Sequence, residues 1–128
     1  MISVAQAERV HALLVEEFGG ATGLRDPGGL EACLARPYQT FGGQDLYPTP
    51  VAKAAAILQS IVIRHPWLDG NKRTAYVLME LVLMDGGMEL VTSENEKYDL
   101  VIQVATGGLD VEGIRAWVES RVRDCKSF

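Results

Sequence analysis

Apolar positions along this chain recur mostly at three- and four-residue steps, the spacing of helices with one buried face. Ser3 is placed to cap a first helix, whose stripe is Val4, Ala7, His11, Leu14 and Phe18 and whose stop is Gly19-Gly20. A short helix is predicted over Leu30 to Ala35, closed by Pro37. Thr49-Pro50 opens a stronger helix carrying Val51, Ala54, Ala55, Leu58, Ile61, Val62 and His65, and Pro66 ends it. A second strong helix starts near Asn71 and runs through Ala75, Leu78, Leu81 and Val82 to Asp85, where Gly86-Gly87 stops it. Both have broad apolar surfaces and are expected in the middle of the molecule. Ser93-Glu94-Asn95-Glu96 is a capping box, predicting a helix to about Thr106. Asp110 caps a last helix bearing Val111, Ile114, Trp117 and Val118. The helical period breaks at Thr40-Phe41-Gly42-Gly43-Gln44-Asp45-Leu46-Tyr47, which reads as a small hairpin or flap around a Gly-Gly turn. The pattern predicts an all-α fold, a single-domain bundle of five or six helices over residues 1–128 with a short β-hairpin flap.

Composition narrows the functional classes. A length of 128 residues suits one domain with a real core. A net charge of −5 repels nucleic acid from the molecule as a whole. Only Lys72-Arg73 and the stretch around Arg121-Val122-Arg123 are locally basic, so no direct nucleic-acid role is expected. Cys33 and Cys125 lie far apart and suggest neither a zinc site nor a disulfide framework, which fits a reduced, cytoplasmic setting with Cys33 as plain core. The N-terminus lacks a basic start followed by an apolar run. The most apolar window, Val51 to Ile63, contains Lys53, Gln59 and Ser60 and is too short to span a membrane.

The candidate chemistry sits between the two strong helices, in His65-Pro66-Trp67-Leu68-Asp69-Gly70-Asn71-Lys72-Arg73-Thr74. A helix start presents free N–H groups and the positive end of the macrodipole. Lys72 and Arg73 in that first turn each cost about 0.3–1 kcal/mol without a counter-charge. An anion on the helix end makes them favourable, and Gly70 lets it approach the backbone, so the stretch has the makings of a phosphate cradle. His65, brought back by a tight turn, is suited to take a proton from a hydroxyl near neutral pH. Asp69 beside a polyphosphate is a natural Mg²⁺ ligand. Together these meet the requirements of phosphoryl or nucleotidyl transfer. Each residue singly also has a plainer reading. His65 can be a helix-end ring bonded to a carbonyl, Asp69 a cap, and Lys72 and Arg73 solvated cations. His11 reads as a satisfied core or rim histidine, Trp117 as core, and Arg115, Arg121 and Arg123 as a solvated face or a partner-docking one.

The stretch resembles the core motif of the Fic/Doc family, and more closely its Doc (death-on-curing) branch, which carries lysine at the position of Lys72 where the Fic branch carries glycine. Gly23 to Pro37, Gln39-Thr40-Phe41 and Leu46-Tyr47-Pro48-Thr49 also look Doc-like. The resemblance implies a Fic/Doc-type bundle with His65 as the base and Asp69 as the Mg²⁺ ligand. Gly70, Asn71 and the backbone around them would form an anion hole, and Lys72 and Arg73 would hold the phosphates of ATP. The flap Phe41, Gly42, Gly43, Gln44, Asp45, Leu46 and Tyr47 would dock the target segment as an added strand. It further implies a toxin of a toxin–antitoxin pair that phosphorylates a threonine of elongation factor Tu and so inhibits translation. A separate antitoxin, with a disordered tail that folds on binding, would restrain it. The alternatives are AMP or another nucleotidyl transfer on the same site, and an inactive phosphate-binding regulatory module. Trp67 stands in place of the family's usual phenylalanine, a packing variation. Tyr76 stands where the Fic branch has a second arginine, which argues against AMP transfer. The stretch Thr92 to Lys97 approaches the self-inhibitory pattern of Fic enzymes but ends in lysine, and its Ser93 and Glu96 read as a capping box.

Overall fold

The computed structural model describes residues 1–125. It contains six helices: α1 (Val4–Phe18), α2 (Pro27–Ala35), α3 (Pro50–Arg64), α4 (Asn71–Asp85), α5 (Glu94–Ala105) and α6 (Val111–Glu119). It also holds two antiparallel two-stranded sheets, β1 (Thr40–Phe41) with β2 (Gln44–Asp45) and β3 (Met88–Leu90) with β4 (Val122–Asp124). The predominantly helical reading therefore holds, with six helices and with one sheet more than the sequence suggested.

The predicted caps operate. Ser3 accepts from the N–H of Gln6, Thr49 from that of Ala52 and Asp110 from that of Gly113, while Ser93 and Glu96 close a reciprocal capping box. Helix α2 departs from expectation. It begins at Pro27 instead of Leu30, because Asp26 accepts from the N–H of Gly29 and proline is tolerated in a first turn. It ends at Ala35 as expected, and a separate 3₁₀ turn, Arg36–Tyr38, carries Pro37.

Helix α3 is the axis of the molecule. It packs most extensively on α4 and also against α2, α5 and α6. Ala54, Ala55, Ala56, Leu58 and Ile61 are fully buried, as are Ala75, Leu78, Met79 and Leu83 facing them from α4. Small alanines along α3 let neighbouring helices approach closely, and the core continues through Leu100, Val104, Ile114 and Val118 of the last two helices. Each buried leucine-sized side chain stabilises the fold by about 1.5–3 kcal/mol. Cys33 is buried in this core, as expected, and both cysteines are free. No helix among the described residues is long and apolar enough to cross a membrane.

The β1–β2 hairpin is the predicted flap, with positive φ at both Gly42 (59°) and Gly43 (80°). Its root is tied to α3: Arg36 Nε donates to the Tyr47 hydroxyl (3.1 Å) and its Nη1 to Gln59 Oε1 (2.6 Å) and Ser60 Oγ (2.9 Å), while Lys53 donates to the Tyr47 carbonyl. The β3–β4 sheet joins segments far apart in sequence, with Glu89 opposite Arg123 and an ion pair between them of 2.6 Å. Arg115, read as solvated, pairs with Glu112 and Glu119, and Arg121 with Glu96. Trp117 is only partly buried and carries the Arg121 guanidinium 4.3 Å above its ring centre.

Candidate active site

The short loop between α3 and α4 folds against α1 and forms one end of a cleft of about 940 Å³. His65, Asp69, Gly70, Asn71, Lys72 and Arg73 all line it. The flap residues Phe41–Tyr47 lie outside that lining, though Phe41 at the hairpin tip is 80% exposed. The opposite wall comes from α4 and α5, with Tyr76, Glu80, Glu94, Lys97 and Tyr98.

His65 is the C-cap of α3. Pro66 forbids a helical continuation, and the chain escapes through a left-handed conformation at His65 itself (φ 36°, ψ 70°). Among the described residues it is the sole non-glycine with positive φ. Such a backbone costs about 1–3 kcal/mol and persists where its surroundings over-determine it. The His65 ring bonds through Nδ1 to the Ile63 carbonyl at 3.0 Å. A carbonyl only accepts, so Nδ1 carries the hydrogen, and in the neutral ring Nε2 then keeps a bare lone pair. That is the tautomer a general base needs.

The loop that follows is held from within and from behind. Asn71 uses both ends of its amide on the Trp67 backbone, Oδ1 accepting from N–H at 3.0 Å and Nδ2 donating to the carbonyl at 2.9 Å. The main-chain N–H of Asn71 and the second N–H of its Nδ2 remain for an anion. The Trp67 ring is buried, stacks on His11 (centroids 4.6 Å apart, planes within 4°) and donates through Nε1 to Glu8 Oε1 at 3.2 Å. Tryptophan thus does more than fill the place of phenylalanine, because its N–H adds a tether to α1. His11, read as a satisfied rim histidine, is one: its Nε2 donates to the Asp69 carbonyl at 2.7 Å.

Asp69 faces two backbone donors, Gly70 N–H on Oδ1 (2.8 Å) and Ala21 N–H on Oδ2 (3.2 Å). Each oxygen keeps a second lone-pair direction for a cation. Gly20 permits this contact, since a Cβ there would lie 2.7 Å from Asp69 Oδ2. Asp69 does not cap α4. The N-cap is Gly70, in the left-handed region (φ 77°), and no side chain among the described residues bonds the first turn. The N–H groups of Asn71, Lys72 and Arg73 have no acceptor among the described residues. Lys72 and Arg73 are exposed, and the Arg73 guanidinium lies 4.1 Å from the centre of the Phe18 ring. Phe18, at the end of the α1 stripe, is thereby part of the site, a role its place in the pattern did not reveal. No cluster of three or more metal-ligating side chains occurs among the described residues. A metal at Asp69 would complete its shell with substrate oxygens and water, which fits Mg²⁺.

On the far wall, burial pushes the Tyr76 hydroxyl above the usual tyrosine range, with Glu80 adding to the effect, and that hydroxyl has no partner among the described residues. Burial also raises the Glu80 carboxyl, opposed by Lys97. Glu96, which a self-inhibitory reading would aim at the nucleotide, instead bonds Arg121 Nε at 2.7 Å and the Ser93 N–H.

The fold and the site define a helical bundle built around a histidine and an uncapped helix start. Residues 1–83 match the Fic/DOC family. The chain belongs to the Fic/DOC family. It is 42% identical to Toxin Doc of Mycolicibacterium smegmatis over 101 residues, 77% of this chain and 78% of that one. It is 29% identical over 114 residues to Protein kinase doc of Escherichia phage P1, covering 88% of each.

Proposed function

We propose that this protein is a Doc-type toxin that transfers the γ-phosphoryl group of Mg-ATP to a protein hydroxyl. The carrying observation is that a histidine whose Nδ1 is bonded to a carbonyl shares one cleft with an uncapped helix start bearing Lys72 and Arg73. In this reading His65 Nε2 takes the proton of the target hydroxyl. Its oxygen forms the new bond to phosphorus as the bond to the β,γ-bridging oxygen breaks, and ADP leaves. The N–H groups of Asn71 to Arg73 and the Lys72 and Arg73 side chains hold the phosphate oxygens in place. Mg²⁺ held at Asp69 supplies charge neutralisation when bound. Support also comes from the phage relative named a protein kinase.

The target proposed from the family resemblance is a threonine of elongation factor Tu, docked along the exposed edge of the β1–β2 flap, which places the action in the cytoplasm. The partner proposed from the same source is an antitoxin whose disordered tail folds into the cleft. Phe18, Ile63, Leu68 and Tyr98, each at least half exposed around its mouth, offer apolar anchors for such a segment.

The test is intact-mass spectrometry of elongation factor Tu after incubation with the protein and Mg-ATP, with His65→Ala as control. A phosphate-sized gain that falls by at least about a hundredfold in rate in the variant is the expected result. An AMP-sized gain would replace phosphoryl by nucleotidyl transfer. No gain on this target, together with no Mg-ATP binding, would leave only a partner-binding role.

A further inference from the structure

Residues 20–26 run antiparallel along residues 64–69 and touch them almost one for one. Ala21 N–H meets the Asp69 carboxylate, Gly23 carbonyl accepts from Leu68 N–H (3.1 Å), and Leu24 bridges Trp67. The N–H groups of Arg25 (2.7 Å) and Asp26 (2.9 Å) both donate to the Pro66 carbonyl. At the end of this register the Arg25 side chain crosses over. Its Nε donates to the His65 carbonyl at 3.0 Å and its Nη2 to the Arg64 carbonyl at 2.6 Å.

Those two carbonyls belong to the two peptide planes that flank the His65 Cα. A peptide unit is planar, so holding both carbonyls fixes φ and ψ of the residue between them. They are also orphan acceptors at a helix C-terminus, where a cation is favourable. The His65 ring meets the Ile63 carbonyl from this same left-handed backbone. We propose that Arg25 is a positioning residue that holds His65 in its left-handed conformation and so keeps its imidazole in the Nδ1–H form with Nε2 bare toward the cleft. The inference rests on the phosphoryl-transfer reading for its meaning, and its first test does not use activity.

The chain has two histidines, and their carbonyl contacts call for opposite tautomers of the neutral rings, Nδ1–H at His65 and Nε2–H at His11. Long-range proton–nitrogen correlation spectra of the ¹⁵N-labelled full chain above neutral pH separate the two. In Arg25→Ala, His65 is expected to shift toward Nε2–H while His11 is unchanged. In Arg25→Lys, where an ammonium cannot reproduce the planar fork, an intermediate shift is expected. A His65 that stays Nδ1–H in both variants overturns the proposal, and Arg25→Lys alone decides if Arg25→Ala does not fold. In turnover, Arg25→Ala should lower kcat at least tenfold with KM for Mg-ATP within twofold, and added guanidinium should restore part of the rate. A loss confined to KM would make Arg25 a nucleotide contact and overturn the positioning role. Absence of any turnover in the unmodified protein would cost the functional reading, while the tautomer result would still decide on Arg25.

Discussion

Helix α5 begins with every device that quiets a helix end. Ser93 accepts from Glu96 N–H, Glu96 reaches back to Ser93 N–H, and Glu94 and Glu96 place acidic groups in the first turn. Helix α4 begins with none of them. Its N-cap is a glycine, its first turn holds no acid, and Lys72 and Arg73 add positive charge to a positive end. The two starts lie on the same cleft, since Glu94 lines one wall and Asn71 to Arg73 another. The comparison teaches that an unfinished helix end is recognisable against a finished one in the same chain. In the proposed function, the stability withheld from α4 becomes binding energy offered to an anion.

Exchanging the chemistry of the two ends breaks this contrast most sharply. Lys72→Glu with Arg73→Glu should lower Mg-ATP affinity by about tenfold or more, because charge-assisted bonds to phosphate become repulsions. The Lys72→Glu single variant should at the same time be more stable to heat by about 0.3–1 kcal/mol at low salt. Isothermal titration and thermal unfolding read the two effects, and a double variant that binds Mg-ATP normally would end the cradle interpretation. Ser93→Ala should do the reverse, losing about 1 kcal/mol of stability with nucleotide affinity unchanged. The smallest expected effect is at Glu96. Its bond from Arg121, and then that from the Ser93 N–H, hold its carboxyl below the usual range. A lowered folded value gives stability that is full above the ordinary carboxylate value and fades as pH falls through the lower one. Glu96→Gln should therefore destabilise at neutral pH and lose that penalty in acid, as denaturant melts across pH would record.

Much of this was legible in the chain because it is local. The caps at Ser3, Thr49, Ser93 and Asp110 each depend on residues within one turn. The flap turn depends on Gly42-Gly43, and the clustering of His65, Asp69, Lys72 and Arg73 follows once Pro66 forces a turn. What escaped is non-local or too short to have a period. Strands β3 and β4 have three residues each, and their pairing is set by distant packing that no spacing encodes. The start of α2 was hidden because Gly28-Gly29 reads as a breaker, although a buried Gly29 is what lets the Asp26 cap close over it. The Phe18–Arg73 stack and the grip of Arg25 on the α3 terminus join segments dozens of residues apart. The family resemblance put Asn71 in the anion hole, and what the sequence did not show is that its amide also braces the Trp67 backbone.

The left-handed backbone of His65 divides what folding rewards from what the proposed chemistry rewards. In a library randomised at codon 65 and sorted only for soluble, heat-resistant protein, glycine and asparagine should rise in frequency, because both relax that conformation. The same library sorted for growth arrest of a bacterial host should return histidine almost alone, with valine, isoleucine and threonine depleted in both sorts. A single position with opposite winners under the two selections would be a genetic fingerprint of stored strain, readable by deep sequencing without purifying any variant.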